Sequence, residues 1–152
     1  MELKKNSRKI AVQAVFQFFF SNEDANKVLD EFHEYRVKEK AYCRLKYDIN
    51  FLNTIVRGVF HDKEEIFSLI EECLSKEWML ERLDPTMQAI ISLAIYEFKK
   101  YPDTPTNVVI NEYVSIARLY LDDSNTGFVN GVLDKLGNKI RNKENEWECF
   151  YR

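Results

Sequence analysis

Apolar residues recur along this chain at helical, not strand, spacing. In residues 124 to 140, "SNTGFVNGVLDKLGNKI", the positions Val129, Val132, Leu133, Leu136 and Ile140 share one stripe at about 100° per residue. Gly127 and Gly131 stack on the opposite side, with Phe128 about a quarter-turn off the stripe. A glycine inside a helix costs roughly 0.5 to 1 kcal/mol relative to alanine, so two on an outward face suggest that something approaches closely there.

The same periodicity predicts the other helices. Ser7 is the expected N-cap of a first, deeply placed helix reaching about Phe20, closed by "SNED". Residues 25 to 36 form a weaker amphipathic helix with Val28, Leu29, Phe32 and Tyr35 inward, and the lysine-rich "VKEKAYCRLKY" follows as the least ordered internal connection. From Asp48, the residues Phe51, Leu52, Ile55, Val56, Val59 and Phe60 repeat inward up to His61, and Ile66, Phe67, Leu69, Ile70, Cys73 and Leu74 repeat the pattern. "LDPTMQAIISLAIYEF" supplies Asp84 as N-cap and Pro85 at the first helical position of a central helix, which ends before the two prolines of "KKYPDTPT". Thr106 is the expected cap of the next helix, with Ile110, Val114, Ala117 and Leu121 inward, and "DDSN" turns the chain into the last. The segment 141–152 mixes charges with Trp147, Phe150 and Tyr151; its pattern leaves a docked and a flexible tail both open.

Composition agrees with one all-α domain over residues 1–152. The chain is 45% hydrophobic, 31% charged and 14% aromatic, with only four glycines and three prolines, too few turn formers for a many-stranded sheet. Charge is uneven. Lys4, Lys5, Arg8 and Lys9 against Glu2 give the first nine residues a side-chain sum of +3, so the net −3 leaves −6 for the remaining 143. Such a cluster is either a solubilising terminus or a contact for a polyanion. Cys43, Cys73 and Cys149 are odd in number and widely spaced, which reads as reduced thiols in a cytoplasmic protein. Gln13 and Gln17 interrupt the first apolar run and no small-residue cleavage site follows, so it reads as an amphipathic helix, not a secretion signal.

Catalytic signatures are missing: no phosphate-cradling glycine loop, no G-x-S-x-G, no H-E-x-x-H and no zinc-spaced Cys/His cluster. His33 and His61 lie on separate helices, and His61 is best explained as a helix-end partner. The chain reads as a binding protein without metal or cofactor. Lys5, Lys9, Gln13 and Phe16 are spaced 4, 4 and 3 apart and give one helix face two cations, an amide and an aromatic. Cations track phosphates, amides read base edges and aromatics stack on unpaired bases, so this face suits single-stranded RNA. The alternative places Phe16 in the core.

Four segments, "RKIAVQAVFQ", "LDPTMQAIISLAIYEF", "PTNVVINEYVSIARLY" and "GFVNGVLDKL", resemble in order those that mark the NusB family of bacterial transcription antitermination factors, over roughly residues 7 to 138. The resemblance implies an all-α bundle of about seven helices in two subdomains. It also implies binding to the boxA element of ribosomal RNA leader transcripts together with NusE, a small-subunit ribosomal protein. The pair would join RNA polymerase and other Nus factors to suppress premature termination, with no reaction catalysed. The family's arginine-rich start falls on Lys4, Lys5, Arg8 and Lys9, and Phe16 occupies a place where a relative can carry tyrosine. The NusE-facing surface falls on Glu112, Asp122, Asp123, Ser124, Gly127, Phe128 and Gly131. Two other readings compete: a pure interaction scaffold, and a relative of the RNA-binding domain of ribosomal RNA cytosine methyltransferases, which continue into a cofactor-binding domain where this chain ends at Arg152. The resemblance leaves monomer and homodimer open.

Overall fold

The Asp84 carboxylate accepts the Thr86 N–H at 2.7 Å and Pro85 takes the first position of the helix behind it. This is the pairing of cap and pre-set φ that the sequence predicts. The computed structural model describes residues 2–38, 46–74 and 83–151, with side chains given over 2–34, 46–74 and 83–142. These residues form seven helices and no strand: α1 Glu2–Ser21, α2 Ala25–Lys38, α3 Ile49–His61, α4 Lys63–Cys73, α5 Pro85–Lys100, α6 Thr106–Tyr120 and α7 Asp123–Tyr151.

Helix α5 is apolar almost all round, and a helix of that kind must be enclosed. Ala89, Ile90, Ile91, Leu93, Ala94, Ile95 and Phe98 are fully buried, and α1, α3, α4, α6 and α7 all pack on it. α1 to α3 form one group and α4 to α7 the other, with α1 and α3 meeting α5 so that both groups share one hydrophobic core. None of the described helices is long and apolar enough to cross a membrane.

The inward stripes are buried much as their spacing requires. Val129, Val132, Leu133 and Leu136 on α7, and Ile110, Val114 and Ala117 on α6, lie in the core, with Ile140 and Leu121 at its edge. Phe60 departs from its stripe. It is 42% exposed and meets Phe18 of the core edge-on, at 5.7 Å between ring centres.

Three boundaries differ from expectation. α1 starts at Glu2, five residues before Ser7, whose hydroxyl instead bonds back to the Leu3 carbonyl at 2.8 Å and accepts the Asp48 N–H at 2.8 Å. Serine inside a helix commonly bonds the preceding turn, and here it also ties α1 to the cap of α3. Thr106 is the first residue of α6; Pro105 holds the cap position without a side-chain bond. The last turn is shorter than "DDSN", because the Asp122 carboxylate caps α7 directly by accepting the Asn125 N–H at 2.7 Å. At the other end of α1, Asn22 takes a left-handed φ of 59° and its N–H donates to Phe18 O at 2.8 Å, a conformation asparagine tolerates better than most residues.

The tail is helical as far as Tyr151. Arg141 anchors its start, donating to the carbonyls of Pro102 at 2.7 Å and Tyr101 at 3.1 Å and lying over the Phe98 ring at 5.7 Å. The side chains of Tyr35, Trp147, Phe150 and Tyr151, and most of "VKEKAYCRLKY", lie outside the described residues.

Candidate nucleic-acid and partner interfaces

On α1, the side chains divide by direction. Lys5, Lys9, Gln13 and Phe16 are all exposed along one face. Lys5 Nζ lies 3.6 Å from a Glu112 oxygen on α6, and Gln13 Nε2 donates to the Tyr120 hydroxyl at 3.2 Å. Phe16 is 37% exposed, and the core place next to it goes to Phe18 at 2%. That settles Phe16 on the outward face and not in the core. Its ring lies parallel to that of Phe20, with centres 5.9 Å apart. Val12, Gln13, Phe16, Thr86 and Tyr120 line an open cleft of about 250 Å³ beside it.

Lys4 is exposed but turned off that face, with Nζ 5.4 Å from the Phe51 ring centre and 6.0 Å from that of Tyr101. Arg8 does not face outward as a phosphate contact would. It is 5% exposed, and its Nε and Nη2 donate to the two Glu97 oxygens at 2.9 Å each, a bidentate pair that leaves the guanidinium unavailable as a phosphate grip. The helical period turns residue 8 toward α5, where an acid waits inside an apolar run. Burial works against the Arg8 charge, but hydrogen bonds and attraction from Glu97 outweigh it and raise the pKa. Tyr113, fully buried beside them, has its phenol pushed well above the ordinary 10.0 by burial first and by Glu97 second. Neither Glu97 nor Tyr113 was singled out from the sequence, although a lone carboxylate in "IISLAIYEF" is the kind of signal that marks a buried ion pair.

Glu112 does not join the other residues assigned to the partner surface. It faces α1, within 3.6 Å of Lys5 and 3.8 Å of Arg8. The remaining six stay together on the first turns of α7. Asp122, Asp123, Ser124, Gly127 and Gly131 are exposed, and Phe128 is half-buried against the core. A cleft of about 260 Å³ lies between this surface and the end of α4, lined by Cys73, Leu74, Gly127, Phe128, Gly131, Val132 and Lys135. Asp122 and Asp123 do not line it, and among the described residues Lys135 is the one charged residue that does.

The glycines separate by what surrounds them. A Cβ at Gly137 would sit 2.8 Å from Thr106 Cγ2 and 3.2 Å from the Phe98 ring, and one at Gly58 would strike the Tyr96 ring, so internal packing explains both. At Gly127 and Gly131, a Cβ would meet nothing within 4 Å. Packing against a neighbouring helix therefore does not account for Gly131. We expect Gly127→Ala and Gly131→Ala each to stabilise the isolated protein by about 0.5 to 1 kcal/mol in urea denaturation. A loss of stability in either variant would show that the chain itself needs the space.

Among the described residues, no group of three His, Cys, Asp or Glu side chains is placed to hold a metal. His33 on α2 reaches both the residues just ahead of α3 and α3 itself, Nδ1 3.0 Å from the Tyr47 hydroxyl and Nε2 3.1 Å from Asn53 Oδ1. His61 lies 2.9 Å from Asp62 Oδ1 at the end of α3, as a helix-end partner should.

Residues 5–138 match the model of the NusB family. The transcription antitermination protein NusB of Sphingopyxis alaskensis is 35% identical over 141 residues, spanning 90% of this chain and 93% of that protein. Its counterpart in Bradyrhizobium diazoefficiens is 34% identical, spanning 91% and 85%. The solved structure of NusB from T. maritima superimposes with a TM-score of 0.73 at 29% identity, covering 91% of this chain and 93% of that one. A chain in the crystal structure of antitermination factors NusB and NusE in complex with dsRNA superimposes with a TM-score of 0.74 at 23% identity, covering 89% and 96%, which shows the shared fold.

Proposed function

The chain belongs to the NusB family, and from that premise we propose that it is a cytoplasmic transcription antitermination factor that binds boxA-type RNA together with NusE and catalyses no reaction. The pair acts within an RNA polymerase complex with other Nus factors. The observation that carries the RNA part is the α1 face, where Lys5, Lys9, Gln13 and Phe16 stand exposed in one row over about 17 Å of helix. Phosphates lie along the lysines, and the unpaired bases meet Gln13 and Phe16. Arg8 serves this face from behind, holding α1 to α5 through Glu97. NusE takes the α7 surface around Phe128, where Asp122 and Asp123 complement a basic ribosomal protein.

With Arg8 withdrawn and Lys4 turned toward Phe51 and Tyr101, two cations remain on this face for phosphate, Lys5 and Lys9. The expected log-log salt slope for single-stranded RNA is then about −1.4. Fluorescence anisotropy of a labelled boxA-like RNA, with and without NusE and over a salt series, tests this. Lys5→Glu with Lys9→Glu lowers affinity about tenfold or more at low salt and flattens the slope by about 1.4. Binding curves that coincide with wild type would remove the α1 face from the RNA site and favour a protein-interaction scaffold.

A further inference from the structure

The row on α1 does not stop at Phe16. Residues 5, 9, 13, 16 and 20 fall within an arc of about 80°, so Phe20 continues the same stripe one turn further on. Phe20 is 77% exposed, the barest large apolar side chain among the described residues. Of the three consecutive phenylalanines, Phe18 is buried and Phe19 packs at the core edge against Phe67 at 5.3 Å, so the fold employs two and leaves the third outside. A lone exposed phenylalanine needs no explanation. This one lies parallel to a second exposed ring, Phe16, with 9° between the planes, and the pair follows directly on two lysines and an amide.

Resting on the RNA reading above, we propose that Phe20 is a further nucleotide subsite: an unpaired base stacks on its outer face and continues the Phe16–Phe20 stack, extending the bound strand beyond Gln13 and Phe16. From Lys5 to Phe20 the stripe is about 22 Å long, room for about six stacked nucleotides at 3.4 Å each. Local charge defines the kind of contact. Phe20 is at the C-terminal, partially negative end of α1, near Glu23 and Asp24, and Gln17 on the adjoining turn donates to Glu31 at 3.3 Å. A phosphate is disfavoured there and a neutral base face is not. The two ends of the stripe thus divide the strand, phosphates toward the lysines and a stacked base on Phe20.

This division gives Phe20 a signature that the lysines lack. In anisotropy titrations of the full chain with NusE, Phe20→Ala weakens a full-length boxA-like RNA about fivefold or more while the salt slope stays that of wild type. Shortening the RNA from the end that reaches Phe20 abolishes the difference between variant and wild type. Phe20→Trp retains wild-type affinity and Phe20→Leu weakens it as Phe20→Ala does, and a 2-aminopurine at the terminal position loses its fluorescence change on binding Phe20→Ala. The ring's exposure means that its removal leaves the core intact, which a thermal melt of each variant checks. Wild-type binding with Phe20→Ala indistinguishable on every RNA length overturns the subsite and leaves the RNA reading standing. A Phe20→Ala effect confined to sedimentation of the free protein also overturns it, assigning the rings to self-association. Absence of RNA binding by the wild-type protein with NusE removes the RNA reading itself.

Discussion

Glu97→Ala lowers the melting temperature by about 10 °C, the largest single loss expected for a change outside the apolar core. Removing this carboxylate leaves the Arg8 guanidinium enclosed beside Phe51, 5.3 Å from its ring centre, with Glu112 at 3.8 Å as its nearest remaining acid. Stranding one member of a buried pair costs about 3 to 5 kcal/mol, and in a domain of this size each kcal/mol moves the midpoint by about 2 to 4 °C. The pair is not thereby a net source of stability. Replacing both members with apolar residues of similar volume, Arg8→Met with Glu97→Leu, recovers most of the loss, since no unpaired charge remains. Calorimetry of the two single variants and the double variant measures this directly. A double variant as unstable as Glu97→Ala would mean that the site depends on the pair's geometry and not on charge balance. The double variant also separates the two roles offered for Arg8: a positioning residue leaves the salt slope of RNA binding unchanged, whereas a phosphate contact reduces its magnitude by about 0.7.

Phe128→Asp weakens binding of NusE by about thirtyfold or more, the second large effect. A half-buried aromatic beside an open cleft, next to two glycines with free space above them, has the form of an interface anchor, and truncating such an anchor costs about 2 kcal/mol or more. The ring contributes to the fold as well. The variant should also lose about 1 to 2 kcal/mol of stability through the part of the side chain that packs on the core. Titration calorimetry with NusE, beside a denaturant curve of the free variant, reads the two effects separately. Wild-type affinity for NusE in a folded Phe128→Asp protein would move the partner surface elsewhere. Asp123→Lys is a useful companion, because it touches the rim and not the anchor and should slow association more than it speeds dissociation.

The helices could be read from the chain because their information is local. The stripe Val129, Val132, Leu133, Leu136 lies where the 3.6-residue period puts it, and Asp84-Pro85 marks a helix start from two neighbouring residues. Expectation and structure part where a side chain serves a partner distant in sequence. Ser7 has the chemistry of a cap, but its hydroxyl answers Asp48, 41 residues away. Arg8 has the composition of a phosphate grip, but Glu97 is 89 residues away and claims it. Glu112 was grouped with the α7 acids by family position, whereas α6 turns it toward α1. Phe60 keeps the apolar period to the end of α3 and still faces outward, because at about 100° per residue it falls on the flank of the stripe while Val59 beside it is fully buried. For the site, direction along α1 is legible from spacing alone, and the turning away of Arg8 and Lys4 from it is not.

The bond between Ser7 and Asp48 also bears on how much the chain can change. Asn6 donates to the Lys46 carbonyl at 2.8 Å, Ser7 accepts the Asp48 N–H, and Asp48 in turn caps α3 through the Phe51 N–H at 3.0 Å. The polypeptide arriving at α3 is therefore fastened to α1 at two successive points, whatever precedes them. A change at Asn6 or Ser7 is thus felt at the start of α3, 40 and 41 residues further along the chain, so the first turns of α1 and the entry to α3 tolerate substitution only together.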